Sequence, residues 1–319
     1  MTFRSSLTWP LLAAGVTVLF WSSAFPAISY GLRAFTPPEL ALLRFVIASL
    51  LLAIPVATGT IKLPPLRDWP AVAVLGVLGI SVYQLSLGYA MTRISAGAAA
   101  VIIALVPGVT SALAAWRLRE KIGVRAITGL VIAFAGVVLV TLGAGRSIRF
   151  EPMTLLVLVS VLATSVYFVW QKPLLARSTP VGFSVASIFA GTLGLLPFGL
   201  DLPAKIMHVP PAQLGSVAYL AVAPTILGYL CWNWALSRAP TSTVTSFLYV
   251  QPLVAGAIGW AWLGQIMSGL TIAGGLLAVS GVILTLRAAR TATPAVVQLA
   301  LARNSPPVEC FSPCVPART

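Results

Sequence analysis

The stretch YAMTRISAGAAAVIIALVPGVTSALAAWRLREKIGVRAITGLVIAFAGVVL (residues 89–139) decides the fold, because it contains two long apolar runs separated by one charged segment. The runs cover residues 96–116 and 124–142. Each is close to the roughly 20 apolar residues that an α-helix needs to cross a bilayer. Strands of a membrane barrel would give short alternating segments instead. The stretch therefore predicts two membrane-spanning helices.

The composition extends this interpretation to the whole chain. Only 8% of the 319 residues are charged, whereas 59% are hydrophobic. A soluble protein has about 25% charged residues, so this chain cannot cover a water-facing surface. The same apolar content demands burial and excludes disorder over almost the whole length. The composition predicts an integral membrane protein.

Ten stretches have the length and composition of membrane spans. They cover residues 9–32, 38–57, 69–90, 96–116, 124–142, 152–170, 181–200, 213–236, 243–263 and 268–286. The first resembles a signal peptide because Arg4 precedes an apolar run, but the run continues to Leu32, and we expect an uncleaved helix. Residues 288–319 are polar and rich in Pro, and we expect a disordered tail.

The basic residues between the spans predict the orientation. With a cytoplasmic N-terminus, 14 Lys and Arg residues fall on the cytoplasmic side and 5 on the other side, and Arg44 lies inside a span. An excess of basic residues marks cytoplasmic loops. The distribution predicts a multi-pass protein of the inner cell membrane with both termini in the cytoplasm.

The chain contains an internal repeat. Residues 73–140 match residues 218–285 at 16 of 68 positions with a constant offset of 145. Chance similarity between two apolar segments is the alternative, but matched Arg and Pro residues are rarer. The matched pairs include Arg93 with Arg238, Pro107 with Pro252, Gly129 with Gly274, Ala133 with Ala278 and Gly136 with Gly281.

An odd number of spans in each half makes the second copy start on the opposite side of the membrane. The predicted fold is an all-α integral membrane protein, with ten transmembrane helices as two inverted-topology five-helix repeats around a central cavity. The repeats cover residues 9–142 and 152–287. Inverted repeats are typical of transporters that alternate access to a central site.

The matched small residues and prolines are predicted to be structural. Gly129, Ala133 and Gly136 lie on one helical face, and Gly274, Ala278 and Gly281 repeat this stripe. Small residues let helices approach closely in lipid. Pro107 and Pro252 are expected to kink their helices, either as hinges or as static kinks.

The runs LFWSSAFPAISYGL (19–32) and PELALLRFVIASLLLA (38–53), together with the opening stretch, resemble the first EamA domain of the drug/metabolite transporter superfamily. ALSRAPTSTVTSFLYVQPLVAGAIGWAWLGQ (235–265) and GGLLAVSGVIL (274–284) resemble the second copy. The resemblance implies ten helices in two inverted bundles and transport of amino acids or other metabolites. The Gly-Glu pair usual in this family is here Arg119-Glu120 in the first copy and Gly264-Gln265 in the second.

Polar and aromatic side chains inside spans are the candidates for substrate binding, because such groups are costly in lipid and usually face the protein interior or a cavity. The alternative is that they are interhelical hydrogen-bonding groups. At the repeat offset, Tyr249 corresponds to Ala104 and Gln251 corresponds to Val106, so the polar groups are concentrated in the second half. This asymmetry would suit a substrate with one polar end. The candidates are Trp21, Ser22, Tyr83, Gln84, Tyr229, Trp232, Asn233, Tyr249 and Gln251.

Arg44 is the single charged residue well inside a span. It could hold a substrate carboxylate, but we expect a structural role in which it snorkels outward or bonds backbone carbonyls. No Asp, Glu or His lies in the interior of any predicted span. The chain therefore lacks the clusters that acid–base or metal chemistry needs, and no metal or other cofactor is expected.

These patterns favour a permease that exports amino-acid-like or other small organic metabolites, and not an enzyme. The rival hypothesis is a non-transporting membrane protein, either a lipid-modifying enzyme or a sensor. The expected partners are a small-molecule substrate and the lipid bilayer. No aromatic-interleaved basic stripe for nucleic acid is present, and the pattern leaves a homo-oligomer open.

Overall fold

A computed structural model describes residues 8–90, 92–93, 102–120, 122–143, 153–199, 202, 206–251, 254, 257–258 and 269–304. Over these residues the secondary structure is helical, and none of them lies in a strand. The helices of the first half are α1 (Thr8–Gly31), α2 (Pro37–Ala57), α3 (Trp69–Gly76), α4 (Tyr83–Ala90), α5 (Val106–Leu118) and α6 (Val124–Gly143). Those of the second half are α7 (Thr154–Leu175), α8 (Pro180–Leu195), α9 (Pro211–Leu220), α10 (Gly228–Arg238), α11 (Thr241–Thr245) and α12 (Gly269–Asn304).

Within the described residues, six helical segments are long and apolar enough to cross a membrane. They are Thr8–Ile28, Pro37–Ala57, Leu66–Ala90, Leu155–Leu175, Pro180–Phe198 and Pro211–Arg238. The shorter apolar helices Val124–Leu139 and Ile272–Thr285 match two further predicted spans. The expected helical character is therefore confirmed for these segments, and six of them have the length and composition of membrane spans.

The two remaining predicted spans differ from single continuous helices. Residues 104–105 form a turn and α5 begins at Val106, so Pro107 lies in its first turn, where the missing N–H costs nothing. The predicted mid-helix kink is thus a helix start. In the other span, α11 is followed by the 3₁₀ turn Ser246–Val250, and Pro252 lies outside the described residues.

The end of the chain also differs from the sequence pattern. We expected a disordered tail from residue 288, but α12 continues without interruption to Asn304. Residues 295–302 are rich in Ala, Leu and Val, and Ala and Leu are strong helix formers. Residues 305–319 lie outside the described part of the chain.

Two π-helical segments occupy equivalent places in the two halves. Val77–Val82 joins α3 to α4, and Ala221–Leu227 joins α9 to α10. An offset of 145 carries the first segment onto residues 222–227, within the second. Such segments are rare and are often found at functional sites. The sequence repeat therefore has a counterpart in local backbone geometry.

The two halves interlock through their first helices. Thr17 of α1 donates a hydrogen bond to the Gly228 carbonyl of α10 at 3.3 Å. Ser160 of α7 donates to the Tyr83 carbonyl of α4, also at 3.3 Å. The acceptors Tyr83 and Gly228 are 145 residues apart, so the two bonds are related by the repeat. Each half thus contributes its first helix to the packing of the other half.

The stripes of small residues pack against one another where α6 meets α12. A Cβ atom added at Gly129 would lie 2.7 Å from the Gly281 carbonyl oxygen, and one at Gly136 would lie 2.6 Å from that of Gly274. In the repeat, Gly281 corresponds to Gly136 and Gly274 corresponds to Gly129. Each glycine of α6 therefore contacts the counterpart of the other. This exchange requires the two equivalent helices to run antiparallel.

Candidate functional site

A cavity lies between the two halves, and we call it the central cavity. Its volume is about 80 Å³, which is room for a few water molecules. The π-helical segment of the first half reaches it through Gly79. The side chains that carry its polar and aromatic character are Trp21, Arg44, Tyr83 and Gln84 from the first half, and Thr164, Tyr167, Phe168, Tyr229 and Gln251 from the second.

An aromatic cluster holds one wall of the cavity. The Trp21 ring centroid is 4.9 Å from that of Trp232 and 5.9 Å from that of Tyr229. Trp21 is fixed further because its Nε1 donates to the Pro224 carbonyl at 3.0 Å. Aromatic pairs at these distances stabilise one another beyond simple burial. The wall is therefore a rigid apolar surface against which an apolar part of a solute can pack.

Arg44 brings a charge into this apolar setting. Its side chain is on α2 and the residue is only 5% exposed, yet it lines the cavity. The guanidinium Nε donates to Thr225 Oγ1, and the guanidinium carbon lies 5.2 Å from the centre of the Phe45 ring. Arg44 therefore does not snorkel outward, and among the described residues its hydrogen-bond partner is a threonine hydroxyl and not a backbone carbonyl.

Thr225 is itself held by the backbone. Pro224 has no N–H, and the Thr225 hydroxyl donates to the Leu220 carbonyl at 2.8 Å. A threonine hydroxyl has one hydrogen and can accept as well as donate. Because the hydrogen is used on Leu220, the oxygen faces Arg44 as an acceptor. The π-helical segment thus fixes the position of the Arg44 side chain.

A second, smaller cavity of about 30 Å³ shares Ile28, Arg44, Gln84 and Leu87 with the central cavity. It continues along α1, α2 and α4 to Pro37 and Gly88. Arg44 and Gln84 therefore lie between the two cavities. Together they mark a path from the centre of the protein towards the end of the bundle that contains the loop between α1 and α2.

A charged network joins helix ends at the opposite end of the bundle. The Glu120 carboxylate accepts hydrogen bonds from Lys172 Nζ at 2.8 Å and from the Thr241 backbone N–H at 3.0 Å. Lys172 Nζ also donates to the Ala239 carbonyl at 3.0 Å. Burial raises the pKa of Glu120, but Lys172 and the hydrogen bonds outweigh it, so the pKa lies below its ordinary value.

The structure brings five of the nine predicted binding residues to the central cavity: Trp21, Tyr83, Gln84, Tyr229 and Gln251. The other four are absent from its described lining. Trp232 is fully buried behind Trp21 and Phe168, and Tyr249 packs near the contact of α6 with α12. Ser22 Oγ donates to the Gln251 carbonyl at 3.4 Å.

Asn233 is one of the predicted binding residues, and it is fully buried outside the described lining of the cavity. Its Nδ2 donates to Ser184 Oγ at 2.8 Å and more weakly to the Tyr167 hydroxyl at 3.4 Å. These bonds join α10 to α8 and α7. The contacts resemble the interhelical hydrogen bonds that were the alternative interpretation of the polar residues.

Several lining residues were not predicted as binding residues. Phe168, Ile103, Val106 and Leu248 line the cavity, but nothing distinguishes them in the sequence from other apolar residues of a span. Arg44 carried a signal, because an ionisable residue inside a span indicates a functional site by default. That signal concerned its burial and gave no information on which residues surround it.

Comparison with known proteins places these observations in a family. The sequence model of the EamA-like transporter family matches residues 8–142 and 152–287. A protein of Streptantibioticus cattleyicolor named "Probable terminal-alkyne amino-acid exporter" is 34% identical over 88% of this chain and 93% of its own length. An uncharacterized transporter of Bacillus subtilis, YdfC, is 31% identical over 86% and 90%.

The fold has a counterpart among solved structures. A protein crystal structure with 22% sequence identity superposes with a TM-score of 0.73, and the match covers 88% of this chain and 98% of that chain. At this identity the likeness establishes a shared fold. The resemblance drawn from the sequence is confirmed by the two-copy match of the family.

Proposed function

Because this chain belongs to the EamA-like transporter family and is a multi-pass membrane protein, we propose that it is a permease that exports amino-acid-like or other small organic metabolites by alternating access. The single observation that carries the proposal is the central cavity, whose lining comes from both halves of the repeat. A solute held there contacts both halves, so their relative movement can expose it to either side.

The antiparallel contact of α6 with α12 supports ten spans in two inverted repeats, residues 9–142 and 152–287. Equivalent helices of a parallel repeat would run in the same direction. Here Gly129 contacts Gly281 and Gly136 contacts Gly274. This arrangement requires a two-fold axis perpendicular to the two helix axes. An axis in the membrane plane is the geometry of inverted-repeat transporters.

The contacts between connecting segments support the proposed orientation. Arg177 lies 3.6 Å from Asp68, and Lys172 contacts Glu120, so three segments rich in basic residues meet at one end. We assign this end to the cytoplasm, together with both termini, and place the protein in the inner cell membrane. Reporter fusions after Arg149 and after Arg290 are then expected on opposite sides, and a shared side would contradict the inverted repeat.

The size of the cavity supports a transport cycle with movement. A small-molecule site usually has about 300–1,000 Å³, well above the present volume. The network around Glu120 closes the proposed cytoplasmic end, whereas the second cavity extends the path the other way. Substrate entry from the cytoplasm therefore requires the Glu120–Lys172 contact to separate.

The proposal is tested first by metabolite profiling of the medium of cells with and without the gene, and then by counterflow in proteoliposomes. We expect at least one small organic metabolite to accumulate outside only when the gene is present. Counterflow of that solute is expected to persist without a pH gradient, because no span interior contains an acid or imidazole relay. Absence of counterflow with every exported solute would contradict the proposed function.

A further inference from the structure

We propose that Arg44 forms a carboxylate-binding subsite of the central cavity, so that the protein selects solutes with a free carboxylate and rejects organic cations. This inference rests on the proposed function and specifies its substrate class. It departs from the structural role that the sequence favoured for Arg44. The evidence is the environment of the guanidinium, its fixed position and the distribution of acids along the chain.

Within the described part of the chain, the guanidinium has donors at the cavity without a protein partner. Arginine carries five N–H donors in a planar fork. Of these, Nε is bonded to Thr225, and no further hydrogen bond of Arg44 is recorded among the residues that the structure describes. The residue is 95% buried and lines both cavities. A planar fork of this kind binds a carboxylate through two parallel hydrogen bonds.

The position of the fork is set before a solute binds. Thr225 directs its lone pairs at Nε because its hydrogen is used on the Leu220 carbonyl. The Phe45 ring lies within cation–π distance of the guanidinium carbon, at 5.2 Å. A side chain held in this way loses little freedom on binding, which strengthens the contact with an anion.

Among the residues that the structure describes, Asp68 and Glu120 each contact a basic residue other than Arg44. The six acids of the chain are Glu39, Asp68, Glu120, Glu151, Asp201 and Glu309, all at the ends of predicted spans or outside them. Asp68 and Glu120 contact Arg177 and Lys172. A buried charge is costly unless it is paired. A carboxylate supplied by the solute would provide the missing partner.

The charge is found in one half of the repeat. Thr36-Pro37 begins α2 and Thr179-Pro180 begins α8, which sets an offset of 143 for these helices. At this offset the counterpart of Arg44 is Ser187, which is buried and neutral. The cavity therefore has one cationic end, and the aromatic wall around Trp21 is left for an apolar group of the solute.

A positive centre on the solute finds no anionic partner in the described lining. The polar groups there are the amides of Gln84 and Gln251 and the hydroxyls of Thr164 and the tyrosines. These neutral groups can accept hydrogen bonds from an amine but do not offset the repulsion from Arg44. Amino acids and simple carboxylates should therefore bind, and amines without a carboxylate should be rejected.

The test uses the purified full-length protein in nanodiscs and four probes that share an isobutyl group. They are 4-methylpentanoate, leucine, 4-methylpentanamide and 3-methylbutylamine, whose binding is measured by displacement of radiolabelled 4-methylpentanoate. We expect both carboxylates to bind at least tenfold more tightly than the amide and the amine. Equal binding of the acid and its amide, or no binding of either carboxylate to the folded protein, would overturn the proposal.

Variants then assign the preference to Arg44. Arg44→Met should make the acid and the amide bind equally. The control is Arg33→Met, because Arg33 is exposed and lies beside the Tyr30 ring. This control should leave the preference for the acid over the amide unchanged. If Arg44→Met does not fold, Arg44→Lys and Thr225→Val retain the charge but lose the fork or its support. Each variant should weaken the binding of 4-methylpentanoate at least threefold. Wild-type affinity for 4-methylpentanoate in both variants would overturn the proposal.

Binding and counterflow together separate this inference from the proposed function. Carboxylate-selective binding without flux of any solute would leave the subsite standing and remove the permease. Flux of the amide or the amine without flux of either carboxylate would leave the permease standing and remove the subsite.

Discussion

Lys172 Nζ lies 2.8 Å from Glu120 Oε1 and thereby joins the last turn of α7 to the segment that follows α5. Glu120 belongs to the first half of the repeat and Lys172 to the second. The same carboxylate also accepts from the backbone N–H that begins α11. One charged contact thus links three helix ends from both halves.

Replacement of this carboxylate should make stability depend on pH. We expect Glu120→Gln to lower the free energy of unfolding by about 1–3 kcal/mol at pH 7, because Lys172 loses a charged partner. The folded pKa of Glu120 lies below its ordinary value of 4.5. Its contribution is therefore present above pH 4.5 and is lost as the pH falls through the lower folded pKa.

Thermal unfolding of both proteins in nanodiscs between pH 7 and pH 4 measures this difference. A double-mutant cycle with Lys172→Met isolates the pair from other effects of either change. An equal difference at both ends of the pH range would contradict the assignment of the stabilisation to the ionised carboxylate.

Arg119 occupies a backbone conformation that favours glycine. Its φ is 54°, in the left-handed region, directly after the last residue of α5. For a residue with a Cβ atom, the left-handed conformation is less favourable by about 1–2 kcal/mol. We expect Arg119→Gly to raise the free energy of unfolding by about 0.5–1 kcal/mol, the remainder being offset by the greater freedom of glycine in the unfolded chain.

The matched control for this change is Arg117→Gly. Arg117 lies in the last turn of α5, where glycine lowers helix stability by up to about 1 kcal/mol. Chemical denaturation of both variants should therefore give shifts of opposite sign. A loss of stability in Arg119→Gly would show that its side chain contributes more than the backbone strain costs.

The contact of α6 with α12 should not tolerate a larger side chain. Gly136→Val places a β-carbon within 2.6 Å of the Gly274 carbonyl oxygen, so the helices must separate. We expect a loss of about 1–3 kcal/mol or more. Ala135→Val changes the adjacent, exposed position of the same helix and should alter stability by less than about 0.5 kcal/mol. Similar stability of the two variants would contradict this packing.

Asn233 and Gln84 should separate stability from transport. Asn233→Ala removes the hydrogen bond to Ser184 and should lower stability by about 0.6–2 kcal/mol, with flux per folded molecule unchanged. Gln84 lines both cavities, and Gln84→Ala should lower flux per folded molecule severalfold. Counterflow and thermal unfolding of the same preparations test both. Reduced flux in folded Asn233→Ala would return this residue to the substrate path.

The composition and the repeat were readable from the sequence because both depend on residue type alone. Long apolar runs must be helical in lipid, where every backbone polar group has to be satisfied within the segment. Gly129, Ala133 and Gly136 are spaced i, i+4 and i+7, and this spacing alone places them on one face of a helix. Their match to Gly274, Ala278 and Gly281 identified two equivalent helices without any coordinates.

Sequence patterns are less informative where the backbone leaves regular helix geometry. The turn at residues 104–105 and the π-helical segment at Val77–Val82 lie in runs that look uniformly apolar. Pro107 can be recognised in the sequence, but a proline can either begin a helix or kink it. The neighbouring helices determine which of the two occurs.

Only the tertiary structure decided which side chains face the cavity. In water, the contrast between an apolar and a polar face reveals how a helix is turned, but in lipid both faces are apolar and the contrast disappears. Gln84 and Asn233 were therefore equal candidates, and packing placed the first in the cavity and the second between helices. The sequence determined that Arg44 lies within the membrane. Only the tertiary structure decided what its charge meets, because helix packing brings the Thr225 hydroxyl of the π-helical segment against the guanidinium.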